Sequence, residues 1–286
     1  MRTKNVHFLK QGVTTMRSKI FILLAIAPLA AFPLEAQAAI TLGTAGNFAV
    51  LAGSTVTNTG STVINGGGVG VSPGTAITGF PPGTITAPYT THSADATAAQ
   101  AQNDLTTAYN AAAGLAPTQN LTGKDLGGQT LTPGVYFFSS SAQLTGTLTL
   151  NDQGDSAAQF VFQIGSTLTT ASASSVVTIN SGATPDCNIF WQVGSSATLG
   201  TTTAFEGHIL ALTSITMDTS ATIADGSALA RNGAVTLDTN TITNCAGSIS
   251  PVAAVPQPAT LPLVLLGTVL LGLPAMVMRS RQRRLR

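Results

Sequence analysis

Charged residues are scarce in this chain: they make up 8% of its 286 residues, and aromatic residues make up 5%. Disordered segments are usually rich in charge, so this composition argues against disorder over most of the chain. The basic residues also cluster near the two ends. Between residues 39 and 255, two basic residues stand against ten acidic ones, a net charge of −8. Such a segment has no basic patch, which excludes nucleic acid as a partner.

Histidine and cysteine are also rare, with three and two copies. His7, His92 and His208 do not have the spacing of metal ligands, and the acidic residues fall singly, so we expect no metal, no cofactor and no catalytic carboxylate pair. Cys187 and Cys245 could pair in an exported protein. Their separation of 58 residues amounts to three coils of the repeat described below. Three coils in an ideal stack span roughly 14 Å, beyond the reach of a disulfide, so the sequence leaves this bond open.

A five-residue phrase is abundant, in which apolar residues alternate with threonine and a turn-former follows. Its copies begin at Leu148, Val177, Ala197, Ile215 and Val235, and the last four are spaced by 20, 18 and 20 residues. Alternation with period 2 is typical of a strand with one buried side. A repeat of this length leaves room for about three short strands and tight corners. We therefore predict a mainly β protein folded as a three-sided β-helix, with inward Leu, Ile, Val and Met filling its interior.

The outward positions of the phrase predict a ladder of small side chains. Strands of neighbouring coils lie ~4.8 Å apart, and outward residues of one strand lie ~6.6 Å apart. The ladder positions are Thr147, Thr149, Val176, Thr178, Ser196, Thr198, Ser214, Thr216, Ala234 and Thr236. None is charged, and a rigid array of threonine hydroxyl and methyl groups can hold water in an ice-like layer. Threonine is also simply a good strand former that faces solvent. Thr201, Thr219 and Thr239 follow the corner and either extend this surface or cap turns.

A different pattern occupies residues 93–113, where small apolar residues recur at spacings of three and four. They are Ala94, Ala98, Ala101, Leu105, Ala108 and Ala112. This spacing predicts one long α-helix with a narrow apolar stripe, which we expect to lie alongside the solenoid. Ser93 is the predicted N-cap and Gly114 the predicted end. Residues 42–88 contain short strand-like runs between turn signals and are expected to add coils to the same solenoid.

The two ends of the chain have the pattern of export and anchoring signals. Residues 1–38 combine basic residues, an apolar run and the motif Ala36-Gln37-Ala38, which predicts a signal peptide cleaved after Ala38. Met16 is an alternative start, and an N-terminal membrane anchor is the alternative reading. We expect an exported domain at residues 39–247 and a linker at 248–258. Residues 259–278 are largely apolar and precede an arginine-rich tail at 279–286, which predicts a membrane span with a cytoplasmic end.

This tail resembles the bacterial C-terminal sorting signal that combines a Pro-Glu-Pro motif, an apolar span and an arginine cluster. The resemblance implies an exosortase-like protease as a partner. In this chain the motif reads Pro256-Gln257-Pro258, with glutamine where that family has glutamate. Whether the tail is cleaved therefore stays open.

Several phrases resemble the bacterial and fungal family of ice-binding proteins. They are FAVLAGSTVTNTG at 48–60, GVSPG at 70–74, GFPPG at 79–83, PGVY at 133–136, NIFWQVG at 188–194 and GHILA at 207–211. Together they span nearly all of the expected exported domain. The resemblance implies a right-handed, discontinuous β-solenoid of triangular section, in which the N-terminal segment and the C-terminal coils share one stack. It also implies that ice binds on one flat face of the sheet.

These patterns predict a secreted or cell-surface antifreeze protein that adsorbs to an ice crystal through the ladder and inhibits ice growth or recrystallisation. An extracellular adhesin or matrix protein is the alternative, since it would use the same rigid solenoid and tail. A polysaccharide-processing β-helix enzyme would need clustered carboxylates with basic or aromatic residues. Lys124, Arg231 and Trp191 stand alone and do not supply them, so we expect no enzyme. The kind of ice activity, the ice planes and the oligomeric state are left open.

Overall fold

The computed structural model of the protein describes residues 39–155, 157–181 and 187–245. The predicted signal peptide, linker, apolar segment and basic tail lie outside the described residues. Within the described ranges, no helix has both the length and the apolar character needed to cross a membrane.

The described chain winds into stacked parallel coils that place strands on three faces. The helix-covered face contains β1 (Phe48–Ala52), β4 (Gly68–Val71), β7 (Thr91–Ser93), β8 (Gln119–Asn120), β10 (Gly134–Phe138), β13 (Phe160–Ile164) and β16 (Ile189–Val193). The seven-stranded face contains β2 (Thr55–Thr59), β5 (Ala76–Thr78), β11 (Ala142–Leu144), β14 (Leu168–Thr170), β17 (Ala197–Leu199), β19 (Ile215–Met217) and β21 (Val235–Asp238).

The third face contains β3 (Val63–Asn65), β6 (Thr84–Ile85), β9 (Thr130–Leu131), β12 (Thr147–Asn151), β15 (Ser175–Ile179) and β22 (Thr241–Thr243). Two longer strands, β18 (Ala204–Ala211) and β20 (Thr222–Ala230), begin on the third face and continue onto the helix-covered face. They join these two faces into a 15-stranded sheet. The prediction of a mainly β, three-sided solenoid is confirmed.

The N-terminal coils stack directly on the C-terminal ones. On the helix-covered face β1 pairs with β20, on the seven-stranded face β2 pairs with β21, and on the third face β3 pairs with β22. All three pairings are parallel. The first and last described strands thus meet in the middle of the stack, as the sequence predicted, and we call this junction the seam.

Aromatic side chains fill part of the interior from coil to coil. The ring centroids of Phe162 and Trp191 lie 3.8 Å apart in a stacked arrangement, and Tyr136 stacks on the other side of Phe162 at 5.4 Å. The buried Trp191 indole Nε1 donates a hydrogen bond to the Glu206 backbone oxygen at 3.0 Å. Because this donor is satisfied, the large ring is buried without an unpaired polar group.

The long helix, α1 (Ala96–Ala113), begins three residues later than the sequence predicted and ends at Gly114 as predicted. Asp95 caps it, since its carboxylate accepts a hydrogen bond from Ala98 N at 2.8 Å. The prediction of Ser93 as N-cap is wrong, because Ser93 pairs with Val71 in the sheet. A carboxylate at the N-cap satisfies a free N–H and interacts favourably with the helix dipole.

One side of α1 packs against the helix-covered face. Its buried residues include Ala101, Leu105 and Ala108, which pack in one apolar cluster with the sheet residues Phe190 and Leu210. A short 3₁₀-helix, η1 (Gly43–Asn47), packs beside it, and both the backbone N and the hydroxyl of Thr44 donate to Asp104 Oδ2. The helix therefore occupies the outer side of this face.

We expect Leu105→Ala to lower the free energy of unfolding by about 2–5 kcal/mol, because it leaves a cavity between the helix and the sheet. Asn103→Ala is the matched control: Asn103 lies on the exposed side of the same helix, so its loss should change stability by less than about 0.5 kcal/mol. Urea unfolding of both variants measures the difference. Equal stability of the two variants would contradict this packing.

Candidate functional site

The seven-stranded face carries a continuous column of outward side chains at the centre of its strands. The backbone register aligns Gln143, Thr169, Thr198, Thr216, Thr236, Thr57 and Thr78, in this order across the face. Six of these seven residues are threonine. Neighbouring members lie ~4.8 Å apart because parallel strands have that spacing. Each is half-exposed or exposed.

A second column of small residues runs beside the first, two positions earlier in each strand. It contains Ser141, Thr167, Ser196, Ser214, Ala234, Thr55 and Ala76. Its hydroxyl groups are held in place: Thr167 Oγ1 donates to Ser141 Oγ at 2.8 Å, and Ser214 N donates to Ser196 Oγ at 3.3 Å. We call the two columns together the threonine face.

Large apolar side chains support this face from below. Leu199, Ile215 and Leu237 alternate with the outward residues and are completely buried. The corner behind the face is fixed by Asn240, whose Nδ2 donates to the backbone oxygens of Asp218 and Ala221, both at 2.9 Å. Side chains on the face therefore extend from backbone that is anchored on its inner side.

The three threonines that follow the corner belong to its turns. Thr201 is exposed there, while the hydroxyls of Thr219 and Thr239 both donate to the Asp238 carboxylate. These bonds, that of Thr219 foremost, lower the pKa of Asp238 below its usual value, so the carboxylate stays ionised. Of the two readings of these threonines, turn capping therefore applies to Thr219 and Thr239, and the threonine face is bordered by a negative charge.

Comparison with known proteins identifies the family. A family model described as Ice-binding-like matches residues 50–243. An ice-binding protein of Nostoc sp. (strain HG1) is 56% identical over 258 residues, which cover 89% of this chain and 93% of that protein. The chain belongs to the ice-binding-like family. This is not a known enzyme family.

Solved structures of ice-binding proteins share the fold of this family member. One, from an Antarctic biological consortium, aligns with a TM-score of 0.67 and 52% identity, covering 72% of this chain and 92% of that chain. Another, from the Antarctic ascomycete Antarctomyces psychrotrophicus, aligns with a TM-score of 0.67 and 44% identity, covering 72% and 98%. The resemblance seen in the sequence is thus confirmed.

Part of the predicted ladder does not lie on the threonine face. Ser196, Thr198, Ser214, Thr216, Ala234 and Thr236 do lie there, whereas Thr147 and Thr149 lie on the third face. The prediction that Val176 and Thr178 point outward is wrong. They pair with the buried Leu148 and Leu150, and Thr178 Oγ1 donates to Glu206 Oε1 at 3.1 Å.

The error has a simple cause in the lengths of the coils. Val177 and Ala197 are 20 residues apart, the length of a whole coil elsewhere in the repeat. Here, however, residues 180–188 form a long connection between β15 and β16. Two sides of this coil therefore use as many residues as three sides of another. Equal spacing in sequence is not equal position in this part of the solenoid.

Four members of the central column were missed: Gln143, Thr169, Thr57 and Thr78. The segment at 55–59 carries a signal that could have found Thr57, because Thr55, Thr57 and Thr59 alternate with Val56 and Asn58. Its position beside Thr236 follows only from the seam. Gln143 and Thr169 lie in three-residue strands, too short for an alternation to be recognised.

Cys187 and Cys245 form a disulfide, with Cα atoms 5.8 Å apart. The estimate from an ideal stack does not apply because neither residue lies in a strand. Cys187 ends the long connection before β16, and Cys245 follows the last described strand, β22.

No group of three or more His, Cys, Asp or Glu side chains that could hold a metal ion occurs in the part of the chain that the structure describes. His208 is fully buried beside Ser227, with Nδ1 and Oγ 2.8 Å apart, and its ring stacks with Phe190 at 5.5 Å. Burial lowers the pKa of His208 from 6.5 to about 4, because the charged form loses its solvation.

This lowered pKa predicts a loss of stability in mild acid. The unfolded chain takes up a proton near pH 6.5 and the folded chain only near pH 4, so stability present above the first value is lost as pH falls toward the second. The loss amounts to about 3 kcal/mol at most. Urea unfolding across this pH interval should show the decline in the parent and a weaker one in His208→Gln. An identical decline in both would show that another group causes it.

Proposed function

We propose that this protein binds ice through the threonine face and thereby inhibits the growth or recrystallisation of ice. The observation that carries the proposal is the central column, in which six threonines and one glutamine stand in register across seven strands. A crystal surface is itself a periodic array of hydrogen-bonding groups. A protein surface of fixed period is therefore the kind of partner that can match it.

The chemistry of the columns suits this role. A threonine offers a hydroxyl that joins ordered water and a methyl that water surrounds, and its branched side chain has few rotamers. Because the strands are already fixed, binding many such groups to ice requires little further ordering of the protein. Neither column contains a charged residue, whose strongly held water would not match an ice lattice. Adsorbed protein would then stop the ice front from advancing between the points of attachment.

The other two faces are poorer candidates. Helix α1 packs on the helix-covered face, with Ala101, Leu105 and Ala108 buried against it. On the third face, Val177 and Ile179 have 37% and 40% of their surface exposed, beside Thr149 and Asn151 of the next strand. This face mixes branched apolar and amide side chains where the threonine face repeats one residue type.

The names of the relatives support the same function. The Nostoc protein and the proteins of both solved structures are described as ice-binding. A non-enzymatic role is consistent with the family, which is not a known enzyme family.

The decisive test replaces Thr198 and Thr216 together by tyrosine in the purified segment 39–250. These adjacent members of the central column pair directly, and two bulky rings would interrupt the array. We expect the loss of most ice recrystallisation inhibition and thermal hysteresis. The matched control replaces Thr222 and Thr241 by tyrosine, a pair in the same register on the third face. It should keep the activity.

Circular dichroism would check that both double variants keep the β-fold. Loss of activity only in the third-face variant would move the site to that face. Unaffected activity in both would rule out both faces. A folded parent without any effect on ice would exclude the function and favour an adhesin or matrix protein.

We further propose that the protein is exported and, at least transiently, anchored in a membrane. Residues 1–38 support export, and residues 259–278 with the following arginines support anchoring by an apolar span. An exosortase-like protease is the proposed sorting partner, with Gln257 at the position of glutamate in its usual motif.

N-terminal sequencing of protein recovered from producing bacteria should read Ala39 first. Membrane fractionation should find the chain in the membrane, and Gln257→Glu should raise the released share if a sorting protease reads this motif. A retained Met1 or Met16 would contradict the signal peptide. A soluble, full-length chain would contradict the anchor.

A further inference from the structure

The described chain ends at the corner that lies opposite the threonine face. Its last strand, β22, lies on the third face, and Asn244 N then donates to Asn65 O at 2.9 Å, where the neighbouring coil turns toward the helix-covered face. Cys187 lies at the same kind of corner, between β15 on the third face and β16 on the helix-covered face. In a three-sided solenoid, the corner between two faces is opposite the remaining one. We call it the attachment corner.

The start of the described chain also avoids the threonine face. Ile40 and Leu42 are buried in the apolar cluster of helix α1, and Asn244 Nδ2 donates to Gly46 O at 2.8 Å. Both ends of the domain are thus held on the side of the helix and the attachment corner. A segment that continues from Cys245 leaves the threonine face open.

The disulfide lies at the junction between the domain and this segment. Cys245 is the last described residue, and its partner Cys187 belongs to a coil separated from it by the coils of β18 and β20. Strand β22 has only three residues, and a pull on the chain after Cys245 would act first on its hydrogen bonds. Short terminal elements open more easily than the whole fold does. The next strand to open would be β21, which contributes Thr236 to the threonine face.

We propose that the protein is built to bind ice while its C-terminal segment is held in a lipid membrane, with the threonine face pointing away from that membrane and the Cys187–Cys245 disulfide carrying a pull on the segment into the middle of the solenoid. This proposal depends on the ice binding proposed above. The apolar residues 259–278 and the arginines after them supply the lipid anchor. The covalent bond bypasses β22, so the load reaches β16, which is paired on both sides by β13 and β18.

The test uses the full chain in vesicles of phosphatidylcholine and phosphatidylglycerol, with a protease site inserted after residue 250. Vesicles are brought onto a single-crystal ice surface, and the flow rate that removes them is measured. We expect parent vesicles to stay attached and vesicles with Thr198→Tyr and Thr216→Tyr not to attach. The double variant Cys187→Ser and Cys245→Ser should attach at rest but detach at a lower flow rate.

Protease cleavage then releases the domain for a recrystallisation assay, which separates the two proposals. An inactive released domain would refute ice binding itself. An active released domain from vesicles that do not hold on ice would refute the outward orientation. Equal resistance to flow of the parent and the Cys→Ser variant, both active after release, would refute the mechanical role of the disulfide. A released Cys→Ser domain without activity would show that the bond serves only the fold, and would also refute that role.

Discussion

The structure depends on the parallel backbone pairing at the seam, where coils from the two ends of the chain meet. Three strand pairs make it, one on each face: β1 with β20, β2 with β21 and β3 with β22. Backbone hydrogen bonds of this kind fix the register of every side chain above them. At the seam, Thr57 comes to lie beside Thr236. Two columns of five and two residues thereby become one column of seven.

The helix and the interior keep that column in place. Helix α1 connects β7, at one end of the stack, to β8, at the other, and packs along the face between them. Inside, the rings of Tyr136, Phe162 and Trp191 stack across successive coils. Close packing of this kind leaves few alternative positions for the strands. A surface that must match a crystal lattice needs this order before it meets the lattice.

The sequence predicted the strands and their inner and outer sides well where the alternation was long. Ser196, Thr198, Ser214, Thr216, Ala234 and Thr236 all lie where their parity placed them. It failed for Thr178, because the connection at 180–188 changed the length of one coil and so the face on which the strand lies. The N-cap of α1 was misplaced by two residues for a related reason. Both Ser93 and Asp95 are good caps, and the pairing of Ser93 with Val71 decides between them.

The sequence by itself determined which side chains could face solvent, since the period of a strand is 2 whatever surrounds it. It also determined the class of the fold, through a repeat that can bury its apolar side only by stacking. Only the tertiary structure decided which outward residues share a face. That choice depends on the lengths of the corners and on pairing between segments about 180 residues apart, such as Thr57 and Thr236. The disulfide was decided in the same way, because Cys187 and Cys245 meet through connections that leave the regular stack.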